Sequence, residues 1–121
     1  MENEGLTKSL TALTEQITNN QDVELIYYTT TSDKDNITSI ECTVVCNTEN
    51  IIKNTNLLKL IVTNMDIIRT LYSKTQIKFN YSIKSIKAIE RNKLELKKIK
   101  KATILYPKYN KLENNQNNIR K

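Results

Sequence analysis

The residues best able to do chemistry lie in one apolar run, where the carboxylate of Glu41 stands beside the thiols of Cys42 and Cys46. A carboxylate can bind a divalent cation or act as a general base, and a thiolate can bind zinc or act as a nucleophile. The chain has no histidine, so the commonest general base and the commonest zinc ligand are both missing. Any acid-base chemistry therefore falls to carboxylates.

The spacing of Cys42 and Cys46 favours a structural role for both thiols. In a strand their side chains would lie on one face about 13 Å apart, which is too far for a disulfide. A structural zinc site needs four ligands, and the chain offers only two thiols. We therefore predict two buried, reduced cysteines and, with them, a cytoplasmic location.

Charge is unevenly distributed along the 121 residues, which carry a net charge of +6. Residues 1–83 hold seven Lys and Arg against ten Asp and Glu, whereas residues 84–121 hold twelve against three. The densest basic cluster comprises Lys97, Lys98, Lys100 and Lys101. Such a surface attracts nucleic acid, nucleotide phosphates or an acidic partner, although a solvated helix face has the same composition.

The hydrophobic pattern defines the elements that must position these groups. Apolar residues recur with helical spacing over 5–19, 51–72 and 86–99, whereas 23–31, 37–46, 76–83 and 102–106 have strand composition, with a turn over 32–36. The order α-β-β-α-β-α-β predicts one α+β domain over residues 1–108, with a small mixed sheet of about four strands against three helices. Residues 109–121 are polar, and we expect a disordered tail. No apolar run reaches the length of a membrane span, so no membrane association is expected.

In the order of its elements the chain resembles the minimal nucleotidyltransferase domains of the DNA polymerase β-like superfamily. In that family one strand ends in Gly-Ser, the next carries Asp-x-Asp, and a third supplies another Asp. The corresponding segments here are 25–30, 39–45 and 77–82, and the resemblance spans roughly residues 5–107. It implies a nucleotide-binding site where these three strands meet.

Carried over residue by residue, the resemblance places the family's Gly and Ser on Thr29 and Thr30, and its three Asp on Ser39, Glu41 and Asn80. It implies that Thr29, Thr30, Ser39 and Asn80 contact the nucleotide. The side chain of Thr29, however, blocks the close backbone approach to a phosphate that Gly permits.

The resemblance makes Glu41 the candidate catalytic residue and metal ligand, with Asp33 and Asp35 from the adjoining turn as further ligands. Two-metal phosphoryl transfer needs several hard oxygen ligands to hold Mg²⁺. Only Glu41 remains among the family's carboxylate positions, so we expect the catalytic activity to be lost.

Three classes of function stay open. We expect first a catalytically degenerate nucleotidyltransferase-like domain that acts as a binding or regulatory module, antitoxin-like or partner-binding, without a required cofactor. The alternatives are an active nucleotidyltransferase that uses Glu41 and Mg²⁺, and a small phage or mobile-element assembly or interaction protein unrelated to nucleotidyl transfer. We expect a protein partner or a homo-oligomer, bound through the wide apolar stripe of 51–72, with nucleic acid as a further partner of the basic last third.

Overall fold

The computed structural model of the protein describes residues 4–47 and 55–107, which form a mixed α+β fold. The elements in chain order are α1 Glu4–Leu13, α2 Glu15–Thr18, β1 Val23–Asp33, β2 Asn36–Cys46, α3 Thr55–Tyr72, β3 Lys78–Ser85, α4 Ile86–Glu90, α5 Lys93–Lys101 and β4 Thr103–Tyr106. The predicted α+β class and the succession of helical and strand segments are confirmed. The predicted tail, 109–121, lies outside the described residues.

The four strands form one mixed sheet in the order β3-β2-β1-β4. Strand β1 is antiparallel to both of its neighbours, β2 and β4, whereas β2 and β3 are parallel and are connected through α3. Lys34 and Asp35 join β1 to β2 with positive φ angles of 51° and 72°. Two consecutive residues with positive φ are typical of the tight hairpin turn whose twist matches that of the strands. A turn within the predicted segment 32–36 is confirmed, but the strands extend into that segment and leave only Lys34 and Asp35 between them.

Two of the three predicted helices are each divided in two. At the first break the Thr14 hydroxyl donates to the carbonyl of Leu10 at 2.8 Å, and the backbone of Thr14 leaves helical geometry. At the second break the Asn92 side chain accepts hydrogen bonds from the amides of Leu94 and Glu95, both at 3.1 Å, and so caps the start of α5. The helical spacing of apolar residues continues across both breaks, because the two helices of each pair pack on the same side of the sheet.

Helices cover both faces of the sheet. On the first face, helices α1, α2 and α3 enclose the larger apolar cluster, in which Leu10, Ile17 and Ile61 are fully buried. On the second face, α4 and α5 enclose a smaller cluster of five buried residues, Leu25, Tyr27, Val45, Ile89 and Ile99. Strand alternation sends successive residues to opposite clusters, so Tyr27 packs on the second face and Tyr28 on the first.

Both cysteines belong to the first-face cluster, and both are free and buried as predicted. Burial raises the pKa of the Cys42 thiol to about 12. Burial, together with the charge of Asp22, raises the pKa of Cys46 to about 11. Both groups therefore stay protonated at neutral pH, and this chemistry suits neither a nucleophile nor a metal ligand.

Candidate functional site

Four rows of paired residues cross the second face of the sheet from β1 through β2 to β3. Their members, row by row, are Leu25, Val45 and Lys84; Tyr27, Thr43 and Ser82; Thr29, Glu41 and Asn80; and Thr31, Ser39 and Lys78. Helices α4 and α5 pack on the first two rows, where Leu25, Tyr27 and Val45 are buried. The last two rows, which we call the open rows, carry polar side chains, and Glu41, Asn80, Thr31 and Lys78 are exposed.

The structure brings most of the predicted nucleotide-site residues together on the open rows. Thr29, Glu41 and Asn80 are direct neighbours in one row, and Ser39 lies in the adjacent row. Thr30 is the exception, because alternation along β1 sends its side chain to the opposite face of the sheet. There it lines a separate open cavity at the hairpin end of the sheet.

Asp33 and Asp35 lie at the tip of the hairpin, away from Glu41. The pairing partner of Glu41 is Thr29, so Asp33 is four residues further along β1, about 13 Å away at the rise of a strand. In residues 4–47 and 55–107 no group of three or more Cys, Asp or Glu side chains is placed to hold a metal ion. The structure thus does not bring the three predicted carboxylate ligands together.

Glu41 contributes the only negative charge of the open rows. Its side chain is 62% exposed, and its Oε2 lies 3.7 Å from the Nζ of Lys98 on α5. Lys78 adds a positive charge in the neighbouring row. The open rows and Lys98 together therefore carry a net positive charge among hydroxyl and amide groups.

Helix α5 is held against the sheet by a buried carboxylate. The Tyr27 hydroxyl donates to Glu95 Oε2 at 2.6 Å, and the Lys84 ammonium donates to Oε1 at 2.7 Å. Burial raises the pKa of Glu95, but the hydrogen bonds from Lys84 and Tyr27 lower it by more than burial raises it. The pKa of Glu95 therefore lies below its usual value. Burial and the Glu95 hydrogen bond raise the pKa of Tyr27.

Sequence reasoning missed the Glu95 anchor. In the sequence of a basic helix, a buried charged residue looks the same as a solvated one unless its position relative to the apolar stripe is considered. Glu95 precedes the buried Ile99 by four residues, which places both side chains on one side of α5. That spacing was the available signal.

The anchor also sets where the basic turn of α5 lies. Lys98 follows Glu95 by one turn and reaches Glu41, and α5 ends just before Thr103, which pairs with Tyr28. The last turns of α5 therefore border the open rows. Of the four lysines predicted as a basic surface, Lys98 contacts the site, whereas Lys97, Lys100 and Lys101 are exposed. Lys101 follows Lys98 by three residues and so lies on the same side of the helix.

The predicted partner surface on the 51–72 stripe corresponds to part of α3, since residues 51–54 lie outside the described residues. Ile67 and Leu71 are exposed by 54% and 46%, while Leu57, Ile61, Met65 and Ile68 are buried against the sheet. The stripe is thus wider than the surface that the sheet covers. No contact in the described part of the chain identifies a partner for this patch.

Comparison with protein-family models, with curated proteins and with solved structures finds no match for this chain. None of the helices within residues 4–47 and 55–107 combines the length and apolar character needed to cross a membrane.

Proposed function

We propose that the protein is a non-catalytic binding module that takes the phosphate groups of a nucleotide or a nucleic acid on the open rows. The observation that carries the proposal is a polar, net-positive sheet surface whose one carboxylate, Glu41, is already paired with Lys98. The resemblance to nucleotidyltransferase domains supports the same region as a nucleotide site, with the metal-binding carboxylates replaced.

The open rows offer the groups that phosphate recognition uses. The hydroxyls of Thr29, Thr31 and Ser39 and the amide of Asn80 can each donate a hydrogen bond to a phosphate oxygen. Lys78 and Lys98 supply positive charge at the two sides of this surface. A lone carboxylate does not provide the ligands for two-metal phosphoryl transfer, so binding without turnover follows.

The test is a fluorescence titration of two probes, labelled ATP and a labelled single-stranded oligonucleotide, with and without Mg²⁺. We expect binding in the absence of Mg²⁺ that weakens steeply as salt is added, since phosphate contacts release counterions. Tight binding of ATP would assign the site to a free nucleotide, and binding of the oligonucleotide alone would assign it to a nucleic acid. Binding of ATP only with Mg²⁺ would contradict the proposal and favour the active nucleotidyltransferase.

Two substitutions separate the binding module from the enzyme. Lys98→Ala should weaken phosphate binding by roughly fivefold to tenfold, because one charge contact is lost. Glu41→Gln should strengthen it, since the competing negative charge near Lys98 disappears. In an enzyme that uses Glu41 to hold Mg²⁺, the same substitution would instead abolish binding.

The matched control is Lys59→Ala on α3, which removes an exposed lysine from the helical layer of the other face. This variant should bind both probes as the wild type does. Equal losses in Lys59→Ala and Lys98→Ala would show that binding reflects overall charge and would overturn the open rows as the site.

A further inference from the structure

Strand β3 forms an edge of the sheet. Its eight residues, Lys78–Ser85, pair in parallel with β2 along their whole length. In the part of the chain that the structure describes, no strand pairs with the opposite side of β3. An edge of this length presents a row of main-chain donors and acceptors that another extended chain can complete.

A groove of about 370 Å³ runs beside the start of this edge, where the end of α3 meets β3. The rings of Tyr72 and Phe79 stack there with centroids 5.5 Å apart, and the Arg69 guanidinium lies 5.7 Å from the centre of the Tyr81 ring. The Tyr81 hydroxyl also donates to Asp66 at 3.0 Å. These contacts fix α3 against β3, so the edge is held in an extended form before any partner arrives.

The charges along the edge select the kind of strand that can bind there. Strand β3 contains two lysines and no acidic residue. Lys84 is paired with Glu95, and Arg69 with Asp66, whereas Lys74 and Lys78 have no ion pair among residues 4–47 and 55–107. Pairing between two copies of β3 would bring lysines of like charge together. Repulsion of this kind is a means by which natural edge strands prevent self-association.

We propose that the edge of β3 that no described strand pairs with binds an extended acidic segment of a partner protein by strand addition. The main chain of β3 supplies hydrogen bonds to the added strand, and Lys78 pairs with one of its acidic side chains. The half-buried Tyr81 and Ile83 offer apolar contact to its alternate residues. This surface shares Lys78 with the phosphate site, but it differs from that site because the added strand forms hydrogen bonds with the main chain of β3.

The probe is a fluorescein-labelled octapeptide of alternating glutamate and valine, followed by anisotropy. We expect saturable binding, slower hydrogen exchange of the β3 amides in the complex, and loss of binding when alternate peptide nitrogens are methylated. Lys78→Glu should weaken binding roughly fivefold, whereas Lys59→Glu, at an exposed position of α3, should leave it unchanged. Lys98→Ala should bind the peptide normally, which separates this surface from the phosphate site.

Three outcomes would overturn the proposal. One is the absence of binding at about 1 mM peptide, which excludes an association of useful strength. Another is equal binding of the methylated peptide or of a lysine-valine peptide, which would exclude strand addition or charge selection. The last is a protein that dimerises with protection of its β3 amides, which would make a second copy the occupant of the edge.

Discussion

The two faces of the sheet differ in how completely helices cover them. On the first face, three helices enclose fifteen buried apolar residues of the described chain. On the second face, two short helices enclose five, and half of the paired rows stay open to solvent. The first face is assembled by apolar burial, and the second by a small apolar cluster with a polar anchor.

This difference indicates how a small domain can combine stability with a binding surface. The helices of the first face bury enough apolar surface to hold the fold, so the second face can leave polar groups exposed. Glu95 then fixes α5 against the sheet by hydrogen bonds to Tyr27 and Lys84. These bonds determine where the lysines of the last turn of α5 lie.

The largest loss of stability is expected from the first face. Ile61→Ala removes a fully buried side chain from the larger cluster and should lower the free energy of unfolding by about 4 kcal/mol. Ile99→Ala, its counterpart on the second face, should cost less because the smaller cluster can collapse around the cavity. Urea unfolding of both variants measures the difference, and an equal or reversed order would contradict the comparison.

Removal of the polar anchor should cost nearly as much. Glu95→Ala leaves Lys84 and Tyr27 without their buried partner and should lower the free energy of unfolding by about 3 kcal/mol. Glu95→Gln keeps an acceptor for Tyr27 and should lose less. Because α5 carries Lys98, Glu95→Ala should also weaken phosphate binding. The folded molecules of Ile61→Ala should bind phosphate as the wild type does.

A smaller effect is expected from pH. The folded pKa of Glu95 lies below its ordinary value of 4.5, so its ionised form stabilises the fold at higher pH. This contribution is fully present above the ordinary pKa and is lost as the pH falls through the folded pKa. Unfolding followed from pH 6 downward should show the loss in the wild type, and Glu95→Gln should lack that part of the pH dependence.

The smallest effect is expected at the hairpin turn. Asp35 has a φ of 72°, which glycine adopts without steric cost, so Asp35→Gly should raise the free energy of unfolding by about 0.5 kcal/mol. Asp33→Gly is the matched control. Because Asp33 lies in β1, this substitution should lower the free energy of unfolding. Thermal unfolding of both variants should give shifts of opposite sign.

Much of the fold follows from local pattern. Alternation in 76–83 predicted β3, and the polar segment at 32–36 predicted the hairpin turn. The breaks at Thr14 and Asn92 were missed, because side-chain hydrogen bonds to the backbone leave the apolar period unchanged. Local hydrogen bonding can therefore end a helix where the period continues.

The candidate site could be predicted only in part. The assignment of Thr29, Ser39, Glu41 and Asn80 to one region agrees with their positions, since it depended on the order of strands. The short turn predicts that Asp33 and Asp35 lie close to Glu41, but antiparallel pairing places Asp33 four residues beyond the partner of Glu41. Strand register, which sequence proximity does not reveal, decides which side chains meet.

The sequence by itself determined the kinds of groups available: no histidine, two cysteines in an apolar strand that also carries the single carboxylate of Glu41, and a basic last third. Only the tertiary structure decided which of them act together. The parallel pairing of β2 with β3 aligned Glu41 with Asn80, and the contact of Glu95 with Tyr27 and Lys84 brought Lys98 to that row. Side-chain type is a local property, whereas these contacts join residues up to 68 positions apart, and only burial and pairing across the fold can select them.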